Sequence, residues 1–299
     1  MVKRFIFIFS VILIIVGCKS NDKSLKGGLD VPAEESKAEL EVSDETMENI
    51  VENVSSPIEM AALIKALGVP FSKKYLATTD YVDEYVTSSK RAFCLGIFGA
   101  DMGYLNMYEK TASVIDYLSA IKTLADGINV GQFFDFPTLK RLATNSQNID
   151  SLMYISVHSF NQMDKYLREN KRGNLSSLMI AGVWIEGLYL ATQVALESNS
   201  DQLAERIGEQ KSILTQLMII LNNYKSDKYI SDLIIDFDQV KKLFDNVEIT
   251  IEQGEPEAIE ENGKLVIVQN DKSIVNISKE TLSEITKKTE EIRNKLINL

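Results

Sequence analysis

Residues 178–191 read Leu-Met-Ile-Ala-Gly-Val-Trp-Ile-Glu-Gly-Leu-Tyr-Leu-Ala, and Glu186 is the one charged side chain among them. A helix that is apolar on every face belongs at the centre of its fold. Glu186, Gly182, Gly187 and the nearby Gln193 argue against a membrane span. The stretch therefore predicts a buried core helix, and with it a mainly α protein. A carboxylate cannot be buried ionised without a partner, so Glu186 must pair, accept hydrogen bonds or face a pocket.

A second stretch, Leu95-Gly96-Ile97-Phe98-Gly99-Ala100-Asp101-Met102-Gly103-Tyr104, echoes the first. Asp101-Met102-Gly103-Tyr104 matches Glu186-Gly187-Leu188-Tyr189 loosely, as a faint internal repeat. Gly96, Gly99, Ala100 and Gly103 lie on neighbouring helical turns, where each glycine lowers helix propensity by roughly 1 kcal/mol. Two readings explain them. The two central helices pack tightly on each other, or they leave room for a ligand held by Asp101, Tyr104, Trp184 and Glu186.

Outward from this pair the helical spacing is nearly continuous. Met47, Ile50, Val51 and Val54 open it, and Ser56-Pro57-Ile58-Glu59 is a capped helix start closed by Gly68. Met107, Thr111, Val114, Leu118, Ile121 and Ala125 form one stripe, with Gly127 as its stop. Asp135 and Pro137 begin the next helix. Ile149 to Leu167, residues 175–197, Leu203 to Leu221 and Ile230 to Val247 continue the pattern. The links are short, which predicts an antiparallel bundle of about six to eight helices over residues 43–250. Residues 251–277 change character. Leu265-Val266-Ile267-Val268 and Ile274-Val275-Asn276-Ile277 flank Asn270-Asp271-Lys272 and read as a small β-hairpin. Ser278 caps a final helix, 278–299, whose Leu282, Ile285, Thr289, Ile292 and Leu296 fit packing on the bundle or use in a dimer.

The N-terminus carries an address. Lys3 and Arg4 precede an apolar run from Phe5 to Val16, too short for a standard span and suited to a secretory signal. Ile15-Val16-Gly17-Cys18 resembles the bacterial lipobox. That resemblance implies removal of residues 1–17 and a chain starting at lipidated Cys18, with fatty acyl groups of the palmitate type. Each buried methylene contributes about 0.8 kcal/mol, so two or three acyl chains anchor stably. Residues 18–42 are polar and aperiodic, the composition of a flexible tether. Lys19 after the cysteine favours, by analogy with lipoprotein sorting, the outer membrane, with its face left open.

Composition narrows the function. The chain has 299 residues with 32 Lys+Arg against 43 Asp+Glu, a net charge of −11. Loss of residues 1–17 removes Lys3 and Arg4 and no acid, giving −13. An acidic balance argues against nucleic-acid binding. Two cysteines and one histidine supply neither a disulfide framework nor a zinc site. Cys94 reads as an inert core residue, and His158, beside Val157 and Phe160, as a bundle histidine rather than a base. P-loop, dinucleotide and nucleophile-elbow motifs are absent. No metal site and no cofactor is expected.

The two central stretches, together with Ile292-Arg293-Asn294-Lys295, resemble a group of helical lipoproteins of bacterial cell envelopes that has no assigned activity. Segments like "LGxYGxDLxY" and "GGWIEGLYxAT" recur in it, standing here as Leu95–Tyr104 and Gly182–Thr192 with Phe98 for Tyr and Val183 for Gly. The resemblance implies fold and address only. The expectation is a non-catalytic binding or scaffolding module in the envelope, with an envelope protein as partner. The alternative is a small-molecule receptor or hydrolase using Asp101 and Glu186.

Overall fold

The computed structural model describes residues 64–143, 149–254, 256–261, 264–269 and 272–298. The signal segment, the tether and the helices expected before residue 64 lie outside the described residues, as does the Asn270-Asp271 link.

The described body opens on a helical end at 64–66, closed as expected by Gly68 at φ +72°, and continues with eight α-helices: α1 Ser88–Met107, α2 Thr111–Gly127, α3 Phe136–Ala143, α4 Ile149–Glu169, α5 Gly173–Ser198, α6 Asp201–Asn223, α7 Lys228–Phe244 and α8 Lys279–Ile297. Several of them start at polar caps, Ser278 among them as expected, whereas α2 and α5 follow Lys110 and Arg172, which make no capping bond. Ser200 Oγ accepts from Leu203 N, Asp227 Oδ1 from Tyr229 N, and Ser278 Oγ from Thr281 N, each filling one of the unpaired first-turn donors.

Helix ends carry less sequence signal. The stripe running through Met107 and Thr111 is not one helix. Glu109 adopts φ +56°, Lys110 N donates to Leu105 O and Glu109 N to Asn106 O, which closes α1 and lets α2 turn back. Asn129 ends α2 in the same way, two residues beyond Gly127, and Lys171 ends α4 before Gly173 opens α5. These closures place Glu, Asn and Lys at positive φ where glycine is the usual signal, although α2 itself stops at Gly127 as the sequence predicts.

The long helix α5 has the length and composition of a membrane span. Here it is the central helix: α1, α4, α6 and α8 surround it, and 89% of its most apolar window is buried. Its glycines set the closest approach. A Cβ on Gly182 would lie 2.1 Å from Phe93 O, and one on Gly96 would lie 2.0 Å from Met179 O and 2.7 Å from Val183 N. The two backbones therefore touch. Gly96 meets Met179–Val183 and, further along both helices, Asp101 meets Glu186, so α1 and α5 run parallel where they cross. Asp101 and Glu186, the acids matched by the faint repeat, face each other across this contact.

The C-terminal hairpin is present with different partners from those expected. Glu248–Glu252 (β1) pairs antiparallel with Lys272–Asn276 (β4), and Pro256–Glu261 (β2) with Lys264–Gln269 (β3). The two β-branched runs thus follow one another along one arm instead of pairing together. Glu261 faces Lys264, which leaves Asn262-Gly263 between paired positions, and that dipeptide is favoured for a two-residue hairpin connection. The hairpin's base lies on α6, where Val275 packs over Gly208. Helix α8 then returns onto α5 and α7 with Ile285, Thr289 and Ile292 buried, so its apolar seam is spent inside its own bundle.

Candidate functional site: a buried carboxylate pair

Asp101 on α1 and Glu186 on α5 are both 0% exposed. Arg293, reaching in from α8, holds Glu186 with two parallel bonds: Nε donates to Oε2 at 2.8 Å and Nη2 to Oε1 at 2.6 Å. The guanidinium also donates to Tyr75 O at 3.3 Å and lies over the Tyr189 ring at 4.4 Å. Planar, bidentate and stacked contacts of this kind are what arginine supplies and lysine cannot.

Asp101 is held differently. Its Oδ2 accepts from the backbone N–H of Ala77 at 2.9 Å, and Tyr117 Oη donates to Ala77 O, which fixes that peptide from α2. Asp101 Oδ1 is buried and accepts no bond from a donor. Burial, and then the Glu186 charge beside it, hold the Asp101 carboxyl well above the usual carboxylate range, while Arg293 and the Ala77 N–H pull the other way. Arg293 is buried too, and Glu186 outweighs that burial to keep it charged. The cluster thus joins four parts of the chain: the segment at Tyr75–Ala77, α1, α5 and α8.

The four residues singled out in the sequence separate into three places. Asp101 and Glu186 come together. Tyr104, one turn along α1, is fully buried, accepts from Ser72 N at 3.2 Å, stacks on Phe71 and meets the Tyr108 ring at a tilt. Trp184 points to the far side of α5, where Nε1 donates to Gln210 at 3.2 Å and the ring meets Phe237 edge-on. It is not part of the cluster. Arg293 entered the sequence reading only within Ile292-Arg293-Asn294-Lys295, with no role assigned, because nothing in its own helix shows that it reaches Glu186. Tyr75, Ala77 and Tyr117 contribute through backbone or hydroxyl contacts that carry no motif.

Of the glycines, Gly96 and Gly182 serve the helix contact. A Cβ at Gly99, Gly103 or Gly187 would have nothing within 4 Å, so close packing does not explain these three. Cys94 is buried, and burial pushes its thiol up to about 12, which keeps it an inert neutral group. His158 is not inside the bundle: it is exposed on α4, its ring parallel to that of exposed Tyr154. Among the described residues no group of three or more metal-ligating side chains converges. No protein-family model, no curated protein and no solved structure matches this chain.

Proposed function

We propose that this protein is a membrane-anchored envelope lipoprotein whose helical body is a non-catalytic binding or scaffolding module. The observation that carries the non-catalytic reading is the closure of the Glu186–Arg293 pair. Both carboxylate oxygens of Glu186 are taken by one guanidinium, at 0% exposure. A hydrolase or receptor acting through Asp101 and Glu186 needs a carboxyl that substrate and water can reach, and Asp101 is equally sealed. The anchor rests on the Ile15-Val16-Gly17-Cys18 pattern, and the outer membrane on Lys19. An envelope protein, met by the helical surface, is the partner class.

The anchor is tested in cells fed a labelled fatty acid. Cys18→Ala should abolish label on this chain and shift it from the membrane to the soluble fraction. Persistent label on the Cys18→Ala protein would end the lipoprotein reading. The non-catalytic reading is tested with Asp101→Asn, which keeps shape and removes the acid. The folded variant should restore whatever defect loss of the protein causes in the cell. Failure of a folded, correctly anchored Asp101→Asn variant to do so would favour the receptor or hydrolase.

A further inference from the structure

Two carboxylates and one guanidinium occupy a site sealed from water. Asp101 Oδ1 has no donor to accept from, while each Glu186 oxygen takes one Arg293 N–H and keeps room for a second bond. A carboxyl that carries a proton turns an orphaned acceptor into a donor. We propose that Asp101 and Glu186 share one proton in the folded protein, held on Asp101 Oδ1 and donated to Glu186, and that this proton is the latch that keeps α8 docked on the α1–α5 pair through Arg293.

With the proton in place the cluster is one anion, one cation and one neutral acid, and the orphaned Oδ1 of Asp101 gains a partner. Removing the proton to solvent leaves two anions against one cation. The helices cannot separate to relieve this without breaking the backbone contact at Gly96 and Gly182. The movable members are the Tyr75–Ala77 segment and α8.

Other groups face the pair from each packed element. They are Tyr104 and Cys94 on α1, Tyr117 on α2, Tyr189 on α5, Arg293 on α8, and Tyr75 before α1. Burial raises all of these phenols and the thiol, so they stay neutral and do not supply the charge change. Lys90 also holds α8, donating to Leu296 O and Asn298 O, and burial lowers its ammonium from the usual lysine range. It is retained in the variant below and titrates alike in both proteins.

The direction of the pH effect follows from proton counting. In the unfolded chain Asp101 loses its proton in the ordinary carboxylate range. In the folded chain it keeps the proton to higher pH. Across that interval the native state binds more protons, so stability falls as pH rises and levels off once folded Asp101 has ionised.

Three measurements test the latch on the full chain. Between about pH 5 and pH 8 the wild-type melting temperature should fall with rising pH by roughly 5 °C, and Asp101→Asn should flatten that fall. Infrared spectra with carboxyl-labelled aspartate should show a neutral carboxylic acid at neutral pH that is missing from Asp101→Asn. Amide exchange in α8, referred to α6, should quicken as the acid band disappears. The proposal is overturned if labelled wild-type protein shows no neutral aspartic acid at neutral pH, a result that stands even where Asp101→Asn fails to fold. It is equally overturned if Asp101→Asn keeps the wild-type pH slope, or if α8 exchange ignores the titration.

Discussion

Glu186→Ala is expected to lower stability by about 3–5 kcal/mol, because it strands the buried charge of Arg293. In a body of this size that corresponds to a fall of roughly 10 °C in melting temperature. Glu186→Gln should fall by less. The amide oxygen still accepts one guanidinium N–H, and Asp101 is then free to ionise and take over the neutralising role. Replacing both partners by apolar residues of similar size, Glu186→Leu with Arg293→Met, should recover most of the loss, since neither charge is then left alone in the core. Thermal melting of the three variants checks the set. A Glu186→Gln protein that melts at or above the wild type would show that the carboxylate is held at the expense of stability, as functional groups often are. The non-catalytic reading would not survive that result.

Part of this arrangement is legible in the chain itself. Glu186 is conspicuous because thirteen apolar or small neighbours surround it in sequence, and burying it demands a partner on elementary grounds. The close contact of α1 and α5 is likewise legible in the glycines of both stretches. Arg293 is not, because it lies 107 residues away on a helix whose own periodicity is satisfied without it. Pairing at that separation is decided by the three-dimensional path of the chain. The same physics hides the hairpin partners. β-branched runs announce strands, but Glu248–Glu252 and Pro256–Glu261 are rich in glutamate, which is depleted in strands, and the connection chemistry of Asn262-Gly263 competes with that of Asn270-Asp271. The break between α1 and α2 is invisible for a third reason. Glu109 takes a backbone conformation usually left to glycine, and the closing bonds from Lys110 and Glu109 involve only main-chain atoms.

Gly96→Ala and Gly182→Ala should each destabilise the protein by about 3 kcal/mol, at the upper end of what overpacking costs. The added methyl group meets backbone in both cases: Met179 O at 2.0 Å from position 96 and Phe93 O at 2.1 Å from position 182. A flexible side chain could swing aside, but a helical carbonyl can move only with its helix. The central pair must then part or rotate, which also disturbs Asp101 against Glu186 further along the same contact. The two changes act on one interface, so their double variant should lose less than the sum of the single losses. Gly99→Ala and Gly103→Ala provide the contrast on the same helix. A methyl group at either position meets nothing within 4 Å, and alanine is favoured over glycine in a helix by up to about 1 kcal/mol. Those variants should be unchanged or slightly more stable. Denaturant melts of the four single variants separate the two classes without any assay of activity. Equal losses at all four positions would mean that the open side of α1 is covered as closely as the side facing α5, and the parallel contact at Gly96 and Gly182 would no longer be what holds the centre of the fold.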